Sequence, residues 1–140
     1  MKPTASSVAA FVASVTPSTR QRDADALIAM MRELSGREPQ LWGTIIGFGH
    51  CRYRYPTGNE GEMPILSFAP RKGATTIYLD STDAHAEELA KLGPHKTGVG
   101  CLYITDLEKV DAGVLRGILE KTYAFAIGGG NDYARITVTD

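Results

Sequence analysis

Arg71, Lys72 and Lys96 are three cations placed where a chain could use them to hold an anion. Arg71 and Lys72 fall in Pro70-Arg71-Lys72-Gly73, a turn between two strand-like runs. A guanidinium there would offer a planar two-pronged donor to a carboxylate or phosphate. Lys96 sits in the run 92–104, where Gly93, Pro94, His95, Thr97, Gly98 and Gly100 crowd into one connection. Glycines of that kind let backbone N–H groups come close to an anion, with Lys96 and His95 to hand. Trp42, Tyr53 and Tyr103 lie on or beside predicted strands and would shape the accompanying pocket. The same residues also fit a solvated charged turn and ordinary aromatic sheet packing, and both readings stay open.

Other chemistries have less behind them. The chain has no Gly-x-x-x-x-Gly-Lys-Ser/Thr and no Gly-x-Gly-x-x-Gly, so nucleotide binding lacks a motif. His50 and Cys51 are adjacent and would point to opposite faces of a strand. His95 and Cys101 lack the paired spacing of a zinc site. Weakly held iron needs only oxygen ligands, for which Asp80, Asp83 and Glu87 are the best acidic group. Their ordinary role would be to complement the positive end of a helix. Cys101 with His95, or Ser67 without a nucleophile elbow, gives no basis for a catalytic assignment, and the chain reads as non-catalytic.

Composition bounds the partners. The chain has 140 residues, 43% apolar and 22% charged, with a formal net charge of -1, as expected of one domain with its own core. Basic residues are scattered, which argues against nucleic acid or an anionic membrane as partner. No apolar run approaches bilayer length, and Val8, Phe11, Val12 and Val15 have the spacing of an amphipathic helix rather than a leader. Cys51 and Cys101 form no disulfide framework, so a reducing, cytoplasmic setting is expected.

Local signals then place the elements. Helices are expected over 7–15 and from Thr16, read as an N-cap before Pro17, to Gly36. Arg20, Arg22, Asp23, Asp25, Arg32 and Glu33 should fall mostly on the outer face of the second helix. Strands are expected over 44–48 and 50–55, bent at Gly49, and over 63–69 and 74–79. A helix over 82–92, a strand over 101–104 and a last helix opened by a Thr105/Glu108 capping box complete the core. Alternation puts Cys51, Tyr53 and Tyr55 on one sheet face, with His50, Arg52 and Arg54 on the other. The order is α-α-β-β-β-α-β-α: an α+β fold with a largely antiparallel sheet of about four to five strands and helices on one face. Residues 1–127 would form the domain, and 128–140 a glycine-initiated tail in which 135–139 could pair as an edge strand.

Two ordered signatures carry a family resemblance. Trp42-Gly43, Ile46-Gly47-Phe48-Gly49, Tyr53, Tyr55, Gly58, Gly61, Phe68 and Pro70-Arg71-Lys72 form the first. Leu92-Gly93, His95-Lys96-Thr97-Gly98 and Cys101-Leu102-Tyr103-Ile104 form the second. Together they resemble the YdhG-like domain, catalogued mainly as a domain of unknown function. Pro94 and Val99 stand where members often carry lysine, and Cys51 where an aromatic is usual. The expected function is a non-catalytic domain that binds a small anionic ligand or a partner protein and needs no cofactor. Because some relatives are described as frataxin-like iron chaperones, the resemblance implies iron handling as an alternative. A homodimeric interaction module is the third reading, through pairing of an exposed sheet edge.

Overall fold

The computed structural model describes residues 3–4 and 7–140. Ser7 caps helix α1 (Val8–Ala13), its hydroxyl accepting the Ala10 N–H at 3.1 Å. Helix α2 (Ser18–Ser35) has Pro17, not Thr16, at its N-cap, and no side chain caps it. Gly36 stops α2 as expected, with a left-handed φ of 67° that returns its N–H to the Arg32 carbonyl. The helix expected over 82–92 is instead a 3-10 turn (Asp83–His85) running into α3 (Ala86–Leu92). Helix α4 (Ala112–Ile127) is capped by Asp111, whose Oδ1 accepts the Val114 N–H at 3.0 Å. The Thr105/Glu108 box does not form. Asp106 Oδ1 takes the Glu108 N–H at 3.0 Å, and the Glu108 side chain accepts from Arg22 at 2.8 Å. Asp106 thereby caps a 3-10 turn over Leu107–Lys109 that precedes α4.

The strands are β1 (Pro39–Trp42), β2 (Ile45–Phe48), β3 (Cys51–Arg54), β4 (Glu60–Met63) and β5 (Leu66–Pro70), followed by β6 (Thr75–Tyr78), β7 (Lys96–Thr97), β8 (Cys101–Ile104) and β9 (Arg135–Val138). All their pairings are antiparallel. Six form a sheet in the order β1-β2-β5-β6-β8-β7, and three form a second in the order β4-β3-β9. The fold is therefore α+β with mostly antiparallel sheet, but four to five strands in one sheet undercounts the described residues. The expected strand over 63–69 is two strands, β4 and β5, divided at Pro64, which lacks a ladder N–H. Strands β1 and β7 carry too little periodicity to be seen in the sequence. The segment 128–140 turns back onto the domain, and the edge strand expected over 135–139 forms as β9. Gly129 and Gly130 turn with φ of 94° and 78°, and β9 pairs with β3 along Cys51↔Val138 to Arg54↔Arg135.

The register Leu41–Ile46–Phe68–Ile77–Leu102 puts one apolar row across the larger sheet, and all five residues are buried. Helices α2 and α4 pack on this face through Leu27, Met31, Leu115, Ile118 and Leu119. A smaller core of Cys51, Ile65, Ala126 and Ile136 joins the second sheet to α4.

Two charges expected outside on α2 are inside: Arg20 is 4% exposed and Asp23 1%. Arg20 donates to the Arg71 carbonyl at 2.8 Å and the Thr105 carbonyl at 2.7 Å. Asp23 Oδ2 accepts the Leu107 N–H at 2.9 Å, and its Oδ1 pairs with Arg22 at 2.9 Å. These side chains are buried because loop carbonyls and amides need partners once α2 covers them. Arg20→Leu should therefore lower unfolding free energy by about 2–4 kcal/mol, against about 0.5 kcal/mol or less for the exposed Arg32→Leu. Urea titration followed by far-UV circular dichroism checks the difference.

Candidate functional site

The chain crosses between the sheets twice at the same place. β2 leaves the large sheet through Gly49 and continues as β3, while β4 returns through Pro64 and Ile65 to become β5. The Ile65 N–H donates to the Phe48 carbonyl at 2.9 Å across this bend. Gly49 has a φ of 78°, and a Cβ there would lie 2.6 Å from Ile65 Cδ1. A Cβ on Gly47 would meet Pro64 Cγ at 2.5 Å and Trp42 Cδ1 at 2.8 Å. The bend thus needs glycine for a backbone angle at one position and for close approach at the other.

Beside the bend lies a cavity of about 390 Å³. The larger sheet gives it Ile45, Ser67 and Tyr78, the second sheet Tyr53 and Glu62, and α4 Thr122 and Phe125. Tyr55 and Asp80, just beyond the ends of β3 and β6, also line it. Tyr53 is held over Gly61, its cross-strand partner, where an added Cβ would meet the phenol oxygen at 2.5 Å. The Tyr53 and Tyr55 ring centroids are 5.3 Å apart, and Tyr133 adds a third ring 5.3 Å beyond Tyr55. These separations are those of favourable tilted aromatic pairs.

Asp80 is fixed from two sides. Its Oδ1 is 2.6 Å from His85 Nε2 and accepts the Thr122 hydroxyl at 3.0 Å. A carboxylate acceptor calls for a proton on His85 Nε2. His85 is 1% exposed, and its Nδ1 is buried with no hydrogen-bond partner. A bare lone pair on Nδ1 leaves no donor unpaired, which matches the neutral Nε2–H tautomer. Asp80 Oδ2 has no partner among the described residues, so this carboxylate is oriented by one oxygen and leaves the other open.

Of the seven residues expected to bind a ligand, Tyr53 alone lines this cavity. Trp42 is 1% exposed and packs on Gly47 and His50, its ring 5.0 Å from the His50 ring. Arg71 and Lys72 share the β5–β6 turn, where Arg71 donates to Thr44 Oγ1 at 3.0 Å. Lys96 pairs with Tyr103 on the far edge of the sheet, two strands from β6, or about 10 Å at ordinary strand spacing. His95 Nδ1 turns back to the Gly93 carbonyl at 2.7 Å. The glycine-rich connection is no cradle either, because the Gly98 N–H donates to the Cys101 carbonyl at 2.8 Å. Thr82 closes that loop from the other side, donating to the Gly98 carbonyl at 2.9 Å. Tyr103 faces Cys101, and a side-chain hydrogen bond with that thiol holds its phenol pKa above the ordinary value.

The acidic group set aside for iron is likewise dispersed. Asp80 turns to His85 and Thr122, whereas Asp83 and Glu87 are exposed. Among the described residues, no three His, Cys, Asp or Glu side chains gather as metal ligands. Glu62, His85, Thr122 and Phe125 are the site residues that sequence reasoning missed. Tyr53-Arg54-Tyr55 gave the one usable signal, since alternation sends both rings to the same face. Comparisons with family models, curated proteins and solved structures return no match for the chain. No helix among the described residues is long and apolar enough to cross a membrane.

Cys51 is fully buried behind the cavity wall. Burial first, and the nearby Asp140 charge second, push its thiol from 9.0 up to about 11. The raised value favours the protonated folded form, so its contribution to stability is complete below pH 9.0 and fades as pH climbs through about 11. At about pH 8 a thiol-specific reagent should therefore leave Cys51 unmodified in the folded protein while labelling the half-exposed Cys101. Mass spectrometry of the labelled peptides reads the result.

Proposed function

We propose that this chain is a non-catalytic, YdhG-like domain that binds a small molecule in the cavity where its two sheets part. The observation that carries this reading is the cavity itself: about 390 Å³, walled by aromatic and aliphatic side chains, with a few oriented polar groups. Volumes of several hundred Å³ with that mixture are typical of small-ligand sites. The Tyr53 ring is held over Gly61 and the Asp80 carboxylate by His85 and Thr122, so both have fixed directions. Such preorganisation lowers the ordering cost of binding. We read the binding as non-catalytic because Thr122, the lining hydroxyl bonded to a carboxylate, is 5% exposed and serves to hold Asp80.

The anion expected from Arg71, Lys72 and Lys96 does not carry over to this cavity, because none of the three lines it. The family assignment rests on the two sequence signatures. The bend supports it to the extent that Gly47 and Gly49 of the first signature are required there by close contacts.

A fragment screen by protein-observed NMR should find ligands whose shifts centre on Tyr53, Tyr78 and Phe125. Ser67→Phe, which fills the cavity from β5, should weaken those ligands by about tenfold or more while the fold is kept. Hits that are indifferent to Ser67→Phe would remove the cavity as the binding site.

A further inference from the structure

The walls of the cavity also restrict the charge of what can enter. Its lining includes the Asp80 carboxylate and no lysine, arginine or histidine. Glu62 also borders it, but its side chain alternates to the face of the β3–β4 ladder opposite Tyr53. Asp80 meets one basic side chain, His85, which stands behind the lining with its Nε2 2.6 Å from Oδ1. Asp80 Oδ1 is taken by His85 and Thr122, and Oδ2 is open. Glu62 lies opposite Arg52 in the β3–β4 ladder, but Arg52 pairs with Glu60 at 3.3 Å instead. Four aromatic rings complete the site: Tyr53, Tyr55, Tyr78 and Phe125. Aromatic faces are electron-rich and attract cations, most strongly where water is excluded.

Resting on the reading that this cavity is a ligand site, we propose that its ligand is an organic ammonium ion. The cationic head would lie against Asp80 Oδ2. Tyrosine faces would cover the N-methyl or N-methylene groups, and Ile45, Met63 and Pro64 would take the apolar remainder. An anion of the same size would instead meet the Asp80 carboxylate and the negative faces of several rings. A bare metal ion is a poor fit, because no three ligating side chains gather among the described residues. The net charge of -1 gives no hint of this preference, which is set by one oriented acid among sixteen.

Benzylammonium, benzyl alcohol and benzoate have nearly one shape and three charges, so they separate charge recognition from cavity filling. Isothermal calorimetry and NMR titration on the full chain should show benzylammonium bound about tenfold or more tightly than benzyl alcohol, with benzoate weakest. Asp80→Asn keeps an oxygen acceptor for His85 and Thr122 while removing the charge. It should weaken benzylammonium about tenfold and leave benzyl alcohol unchanged. Glu62→Gln, on the opposite face of the ladder, should leave benzylammonium unchanged, and the charge series on the unaltered chain keeps the test independent of the Asp80 variant's stability. If benzyl alcohol or benzoate binds in the cavity as tightly as benzylammonium, the ammonium inference is overturned and the cavity reading stands. If all three are silent at millimolar concentration, both readings fall.

Discussion

Two strands of this chain must pass through one bend, and the architecture around the cavity depends on how closely they pack there. Gly47 lies under Pro64, and Gly49 lies against Ile65 and Arg37, at distances where a Cβ would overlap its neighbours. The Ile65 N–H keeps the strands bonded as they leave the larger sheet. Because the crossing is shared by both arms of one hairpin, the second sheet is carried away from the first as a unit. The opening between them becomes the cavity, and β3 is free to accept β9 on its far side. Without the bend, Tyr53 and Tyr55 would extend one flat sheet and meet neither Tyr78 nor α4.

Buried polar groups hold the surrounding pieces in place. Arg20 and Asp23 tie α2 to the turn after β5 and to the chain after β8, where backbone groups would otherwise be orphaned. Arg37 does a similar job at the other end of α2. Its guanidinium donates to Tyr123 Oη at 2.9 Å and pairs with Asp140 at 2.9 Å, joining α2, α4 and the segment after β9. Arg20 and Asp23 reach from a regular helix to irregular connections, whereas Arg37, just past the end of α2, ties α4 to the last residue of the chain. Apolar packing alone could not satisfy those carbonyls and amides.

The cavity inherits its chemistry from this scaffold. Thr122 sits on the buried stripe of α4, and His85 in the turn that precedes α3, so the Asp80 carboxylate is clamped by two independent elements. A Tyr ring set over a glycine, a clamped carboxylate and an apolar floor make a site whose polar groups have fixed directions.

Local chemistry made part of this legible from residues alone. Gly36 ends α2 because only glycine accepts the left-handed angle cheaply, and Cys101–Ile104 is a strand at the expected limits. The stripe Leu115, Ile118, Leu119 and Thr122 follows helical spacing, and Tyr53 and Tyr55 share a face through strand alternation. Those features depend on a few neighbouring residues. The division of one predicted strand at Pro64, the burial of Arg20 and Asp23, and the dispersal of Arg71, Lys72 and Lys96 do not. The cavity is the clearest case: Asp80 meets Thr122 across 42 residues of sequence, and no local pattern marks that contact. Periodicity and turn chemistry determined the elements, whereas long-range packing decided which of their side chains would meet.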